Sequence, residues 1–153
     1  MSPDKQLQNV QYGDGKVSYF FKDNFSFYLF KKVEKLVLAL HLITEHLSDK
    51  EPIRQGIRET SMYFIKDIMT SLNKKDISEI EKDIQNVFFE IDTLLGIGDQ
   101  TRLLTSANVS IIKSEISKIS KELKNHVGSI NTSPIIQKAF FEVEQSQQSN
   151  LVD

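Results

Sequence analysis

The side chains that could do chemistry are few. His41, His46 and His126 are the only histidines, and the chain of 153 residues has no cysteine, so thiolate metal sites, cysteine nucleophiles and disulfides are excluded. His41 and Glu45 stand four residues apart, a spacing that sets two ligands on one face of a helix. A structural metal needs three or four converging ligands. A di-iron bundle needs inward carboxylates on several helices together with Glu-x-x-His pairs, and no Glu-x-x-His pair occurs. Nucleophile-elbow, P-loop and dinucleotide patterns are missing as well, and Gly96-Ile97-Gly98 is too short to cradle a phosphate. Acidic pairs such as Glu79 and Asp83 fall on an outer helix face, without the burial that raises a carboxyl pKa for acid catalysis. The expectation is a protein that is not an enzyme and uses no metal or cofactor.

Residues suited to contact are more abundant. Seven of the fourteen aromatic residues fall between Tyr19 and Phe30. Either they roof one end of a core, or they meet a partner, since aromatic side chains are enriched at interface centres. Phe20, Phe21, Phe25 and Phe27 are the candidate partner-binding residues of this segment. Ile136, Phe140 and Val143 join them, because they would share one face of a short helix that starts at Ser133-Pro134 and is marginal alone. Lys31, Lys32 and Lys35, with Arg54 and Arg58, are the candidate phosphate contacts. The overall charge is −2, and residues 25–128 carry equal numbers of basic and acidic side chains, so nucleic-acid binding is expected to be weak and salt-dependent.

These residues need a scaffold, and the spacing of apolar residues supplies it. Leu29, Val33, Leu36, Leu40, Ile43 and Leu47 recur at intervals of three and four, predicting a first helix from about Phe25 to Leu47. Val37, Leu38 and Leu42 give that helix a second apolar side that also needs covering. Ser48 and Glu51 have the spacing of a capping box, and Pro52 suits a first helical turn. A second helix should follow to about Leu72, with Ile53, Ile57, Phe64, Ile65 and Ile68 inside. The third is expected to be capped by Asn73, to carry Ile77, Ile80, Ile84, Val87, Ile91 and Leu94, and to end at Gly96 and Gly98. The fourth should be capped by Asn108, bury Val109, Ile112, Ile116, Ile119 and Leu123, and stop at Gly128.

The fold class is therefore all-α: an antiparallel up-down-up-down four-helix bundle with a short extra C-terminal helix. Residues 1–24 form an irregular segment in which Gly13-Asp14-Gly15 would turn a short hairpin. Residues 25–128 form the bundle, and 129–153 the short amphipathic helix and polar tail. The longest apolar run, Leu36 to Ile43, is far short of the roughly 20 residues of a membrane span, and no signal peptide is recognisable, so a cytoplasmic protein is expected.

The run Phe30-Lys31-Lys32-Val33-Glu34-Lys35-Leu36, the Pro-containing turn, Ile57-Arg58 and the late turn before Asn108 follow one another as in a known group. Their layout resembles the four-helix-bundle family of 23S rRNA intervening-sequence proteins and the accessory variability proteins of diversity-generating retroelements. Residues 30–57 also resemble uncharacterised proteins of candidate-phylum bacteria. The resemblance implies a bacterial accessory bundle that binds nucleic acid and a reverse transcriptase as an oligomer. The residues themselves favour a non-enzymatic interaction or oligomerisation module within a nucleic-acid-handling assembly, as a homo-oligomer or with a protein partner. The alternative is direct nucleic-acid binding of the retroelement accessory type.

Overall fold

The computed structural model describes residues 20–131, and these are helical apart from short connections: α1 Asn24–Ile43, α2 Pro52–Lys74, α3 Ile77–Gln100 and α4 Ser106–Asn131. Among the described residues there is no strand. The N-terminal hairpin and the short C-terminal helix expected from the sequence lie outside them.

Each helix begins and ends for a local reason. Asp23, in extended backbone at φ −154° and ψ 168°, caps α1 by accepting a 2.6 Å hydrogen bond from the Ser26 N–H. At the other end α1 stops at Ile43, one turn before Leu47, because Thr44 turns its hydroxyl back onto the Leu40 carbonyl at 2.9 Å. That side-chain bond offers the backbone an alternative to a further helical turn. Glu51 caps α2 itself, accepting from the Ile53 N–H, and Pro52 opens the helix, while Ser48 shapes the turn before it, its carbonyl accepting from the Glu51 N–H and its hydroxyl from the Lys50 N–H at 3.3 Å. For α3 the cap position is Asp76 and not Asn73, because α2 runs through Asn73 to Lys74.

Glycine placement misleads at both later ends. Helix α3 continues through Gly96 and Gly98 to Gln100 and closes in a Schellman turn: the Leu103 N–H reaches the Gly98 carbonyl at 2.9 Å and the Arg102 N–H that of Asp99 at 2.9 Å. The left-handed residue of that turn is Arg102, at φ 59°, where glycine is usual. Gly98 serves packing instead, since a Cβ there would lie 2.6 Å from the Leu104 Cδ1. Helix α4 starts at Ser106, so Asn108 is inside it, and it passes through Gly128 to Asn131.

The apolar stripes meet in one core. Leu29, Val33, Leu36 and Leu40 of α1 join Ile57, Phe64, Ile68 and Leu72 of α2, Ile80, Ile84, Ile91 and Leu95 of α3, and Val109, Ile112, Ile116, Ile119 and Leu123 of α4. In α3 the inward positions are Phe88 and Leu95, while the expected Val87 and Leu94 are half-buried. A straight helix drifts against a strict seven-residue repeat, and Phe88 is drawn in by an edge-on contact with Phe64 at 5.7 Å between ring centroids. Ile53, Ile65 and Ile77 are only half-buried, so the seams of α2 and α3 are narrower than expected.

Helices pack in chain order, α1 on α2, α2 on α3, α3 on α4, and α4 returns to α1, whereas the diagonals α1–α3 and α2–α4 make no close backbone contact. The result is a closed ring of four helices around one core. Every helix therefore has two covered flanks and one outer face.

Candidate interaction surface

The aromatic N-terminal segment is used mostly inside the molecule. Phe21 is only 8% exposed. It meets Phe20 edge-on at 5.0 Å and packs at 5.5 Å from Phe27 and 5.1 Å from Phe30. Phe21 is therefore a core residue, where the sequence suggested a contact with a partner. Phe25 stacks on His126 at 3.6 Å, and the Tyr28 hydroxyl donates to Glu122 at 2.8 Å. These contacts fasten the start of α1 to the last turns of α4. The Asn73 amide donates to the Phe20 carbonyl at 2.5 Å and accepts from the Lys22 N–H at 3.2 Å, which fastens the same segment to the end of α2. Phe20 is left 51% exposed, lining an open depression of about 470 Å³ with Lys66, Met69, Thr70, Asn73 and Lys74. Ile136, Phe140 and Val143 lie outside the described residues.

The basic candidates divide into two kinds. Arg54 donates to the carbonyls of Thr44, Glu45 and Leu47 at 3.3, 2.8 and 2.5 Å, and also pairs with Asp49 at 2.9 Å. Arg58 donates to the Thr44 hydroxyl and the His41 carbonyl, both at 3.1 Å. Both guanidiniums close the carboxyl end of α1, whose last carbonyls have no partner within the helix and whose dipole favours a cation there. Both of these candidate phosphate contacts are thus engaged in holding the end of α1. Glu45 meets Arg54 through its backbone carbonyl. Lys31 pairs with Glu34 at 2.6 Å, and Lys32 sits 5.5 Å from the Tyr28 ring centre. Lys35 is exposed.

Among the described residues no group of three or more His, Asp or Glu side chains is placed to hold a metal ion. His41 is half-buried beside Arg58 while Glu45 is exposed, and the buried Nε2 of His41 has no hydrogen-bond partner. Burial holds the His41 pKa below its ordinary value, and the Arg58 and Arg54 guanidiniums push the same way. Burial also lowers His126, with Asp23 pulling in the opposite direction. Both histidines are thus less basic in the folded chain than in the unfolded one. Stability is fully present above the unfolded histidine pKa, about 6.5, and is lost as the pH falls through that value toward the folded ones. Thermal unfolding should show a falling midpoint between about pH 7.5 and 5.5, flattened in a His41→Gln, His126→Gln chain. A midpoint that rises over that window would contradict it.

The feature that sequence reading missed is on the outer side of α1. Leu38 and Leu42, expected to form a second buried side, are each 60% exposed, and Ile111 of α4 is 62% exposed. The pairs Phe25–His126 and Tyr28–Glu122 set the register of α1 against α4, which puts Ile111 level with positions 39 and 40, between Leu38 and Leu42. The signal was present in the sequence: α1 is apolar over more of its circumference than two neighbours can cover. Solitary exposed apolar residues elsewhere, such as Phe89, are ordinary.

No described helix is long and apolar enough to cross a membrane. Comparison with protein-family models, curated proteins and solved structures gives no match for this chain.

Proposed function

We propose that this protein is a non-enzymatic interaction module, an antiparallel up-down-up-down bundle that oligomerises or docks a protein partner through the outer face of α1. The observation that carries the reading is the Leu38, Leu42 and Ile111 patch, since neighbouring exposed apolar side chains mark contact surfaces. The antiparallel order is supported by cross-helix bonds: the start of α2 reaches the end of α1 through Arg54 and Arg58, Asp92 of α3 pairs with Lys113 of α4 at 3.3 Å, and Gln85 accepts from Ser120 at 2.7 Å. Accessory service to a nucleic-acid-handling assembly rests on the family resemblance. For the alternative of direct nucleic-acid binding, the α1 lysines remain as the surface, with Arg54 and Arg58 engaged elsewhere.

Sedimentation of the intact chain over a concentration series tests the reading. The expected result is a reversible dimer that a Leu38→Glu, Leu42→Glu chain cannot form while its helical circular dichroism stays unchanged. An intact chain that is monomeric throughout, or a variant that associates equally well, would refute oligomerisation through this face.

A further inference from the structure

We infer that the occupant of the α1 face is a second copy of this chain, lying with its α1 antiparallel across the first about a two-fold axis level with Leu40. This inference rests on the oligomerisation reading and adds its geometry. The outer stripe of α1 reads Lys35, Leu38, Leu42 and then Glu45 in the turn just beyond the helix, and all four are exposed. Positions 38 and 42 are symmetric about 40, and so are 35 and 45. A two-fold axis there sets Leu38 of each copy against Leu42 of the other. The same operation sets each Lys35 against the other copy's Glu45, so that both ends of the stripe are closed by opposite charges.

A two-fold interface has to be self-complementary in this way, with residue i meeting j and j meeting i. A parallel pairing of the same stripe would bring Lys35 onto Lys35 and Glu45 onto Glu45. Among the described residues Lys35 and Glu45 enter no salt bridge. Ile111, level with positions 39 and 40 on the α4 side, widens the apolar strip. The patch is small beside a standard interface, so the dimer is of the reversible, concentration-dependent kind.

Charge exchange tests the register. Dimer dissociation is measured by sedimentation equilibrium at low ionic strength for Lys35→Glu, for Glu45→Lys, and for the two combined. Each single substitution turns two attractive contacts per dimer into two repulsive ones, and dissociation should rise about tenfold. The combined chain should return to within about twofold of the unchanged protein, and all differences should shrink at high salt. Lys82→Glu, exposed on α3, which makes no close backbone contact with α1, should leave dissociation near its starting value. The inference is overturned if the single substitutions have no effect, or if the combined chain is as weak as the worse single one. If Leu38→Glu, Leu42→Glu abolishes the dimer while charge exchange does nothing, the interface stands and the two-fold register is wrong. Circular dichroism on each variant separates loss of contact from loss of fold.

Discussion

Replacing Leu40 by alanine is expected to lower the free energy of unfolding by about 2–5 kcal/mol, the range for emptying a closed leucine site. Leu40 is wholly buried in the middle of the α1 seam. It is surrounded by a ring of four helices whose connections are short, so the walls have little freedom to collapse into the cavity. The carbonyl of Leu40 also accepts the Thr44 hydroxyl at 2.9 Å, which pins the backbone at the point where relaxation would have to begin. Chemical denaturation gives the number. A loss below about 0.5 kcal/mol, the size of an ordinary surface change, would mean that α1 is peripheral to the core. The same substitution at Leu38, two residues away on the outer face, should fall within that surface range for the monomer.

The second large effect separates two glycines that look alike in sequence. Gly98→Val should destabilise by about 1–3 kcal/mol, the usual cost of overfilling a packed site. Any side chain at 98 would meet Leu104 at 2.6 Å from its Cδ1 and 2.9 Å from its Cγ. Leu104 is itself only 3% exposed, and its N–H bonds to the Gly98 carbonyl at 3.0 Å, so it cannot swing aside. Gly128→Ala should have the opposite sign and raise stability by about 1 kcal/mol, the difference in helix propensity. Position 128 lies inside α4, and among the described residues nothing lies within 4 Å of a Cβ placed there. Melting midpoints that move in the same direction for both would show that backbone freedom, and not the fit of Leu104 on α3, decides the Gly98 site.

These cases show where sequence reasoning reaches and where it stops. Four helices, their order and most of the inward residues were legible, because burying one apolar stripe per helix is the dominant free-energy term and imposes a spacing of three and four. Element type follows from that period whatever the partners are. Helix ends were less legible. A glycine can end a helix or permit a close approach inside one, and at Gly98 the approach of Leu104 decides. The stop itself falls on Arg102, a residue with no intrinsic preference for a left-handed turn.

The candidate surface was legible only in part. The sequence marked the aromatic segment and the basic side chains as contacts. Tertiary structure turned Phe21 inward, stacked Phe25 on His126 and engaged Arg54 and Arg58 with the end of α1. Local spacing cannot report the last two choices, because the ring and the carbonyls that these side chains meet are 7 to 101 residues away in sequence. The excess apolar circumference of α1 was written in the chain from the start. That Leu38 and Leu42 are its outward part was decided only when the ring closed and gave α1 two neighbours, since a helix in a four-membered ring can cover two flanks and must leave the third to solvent or to another molecule.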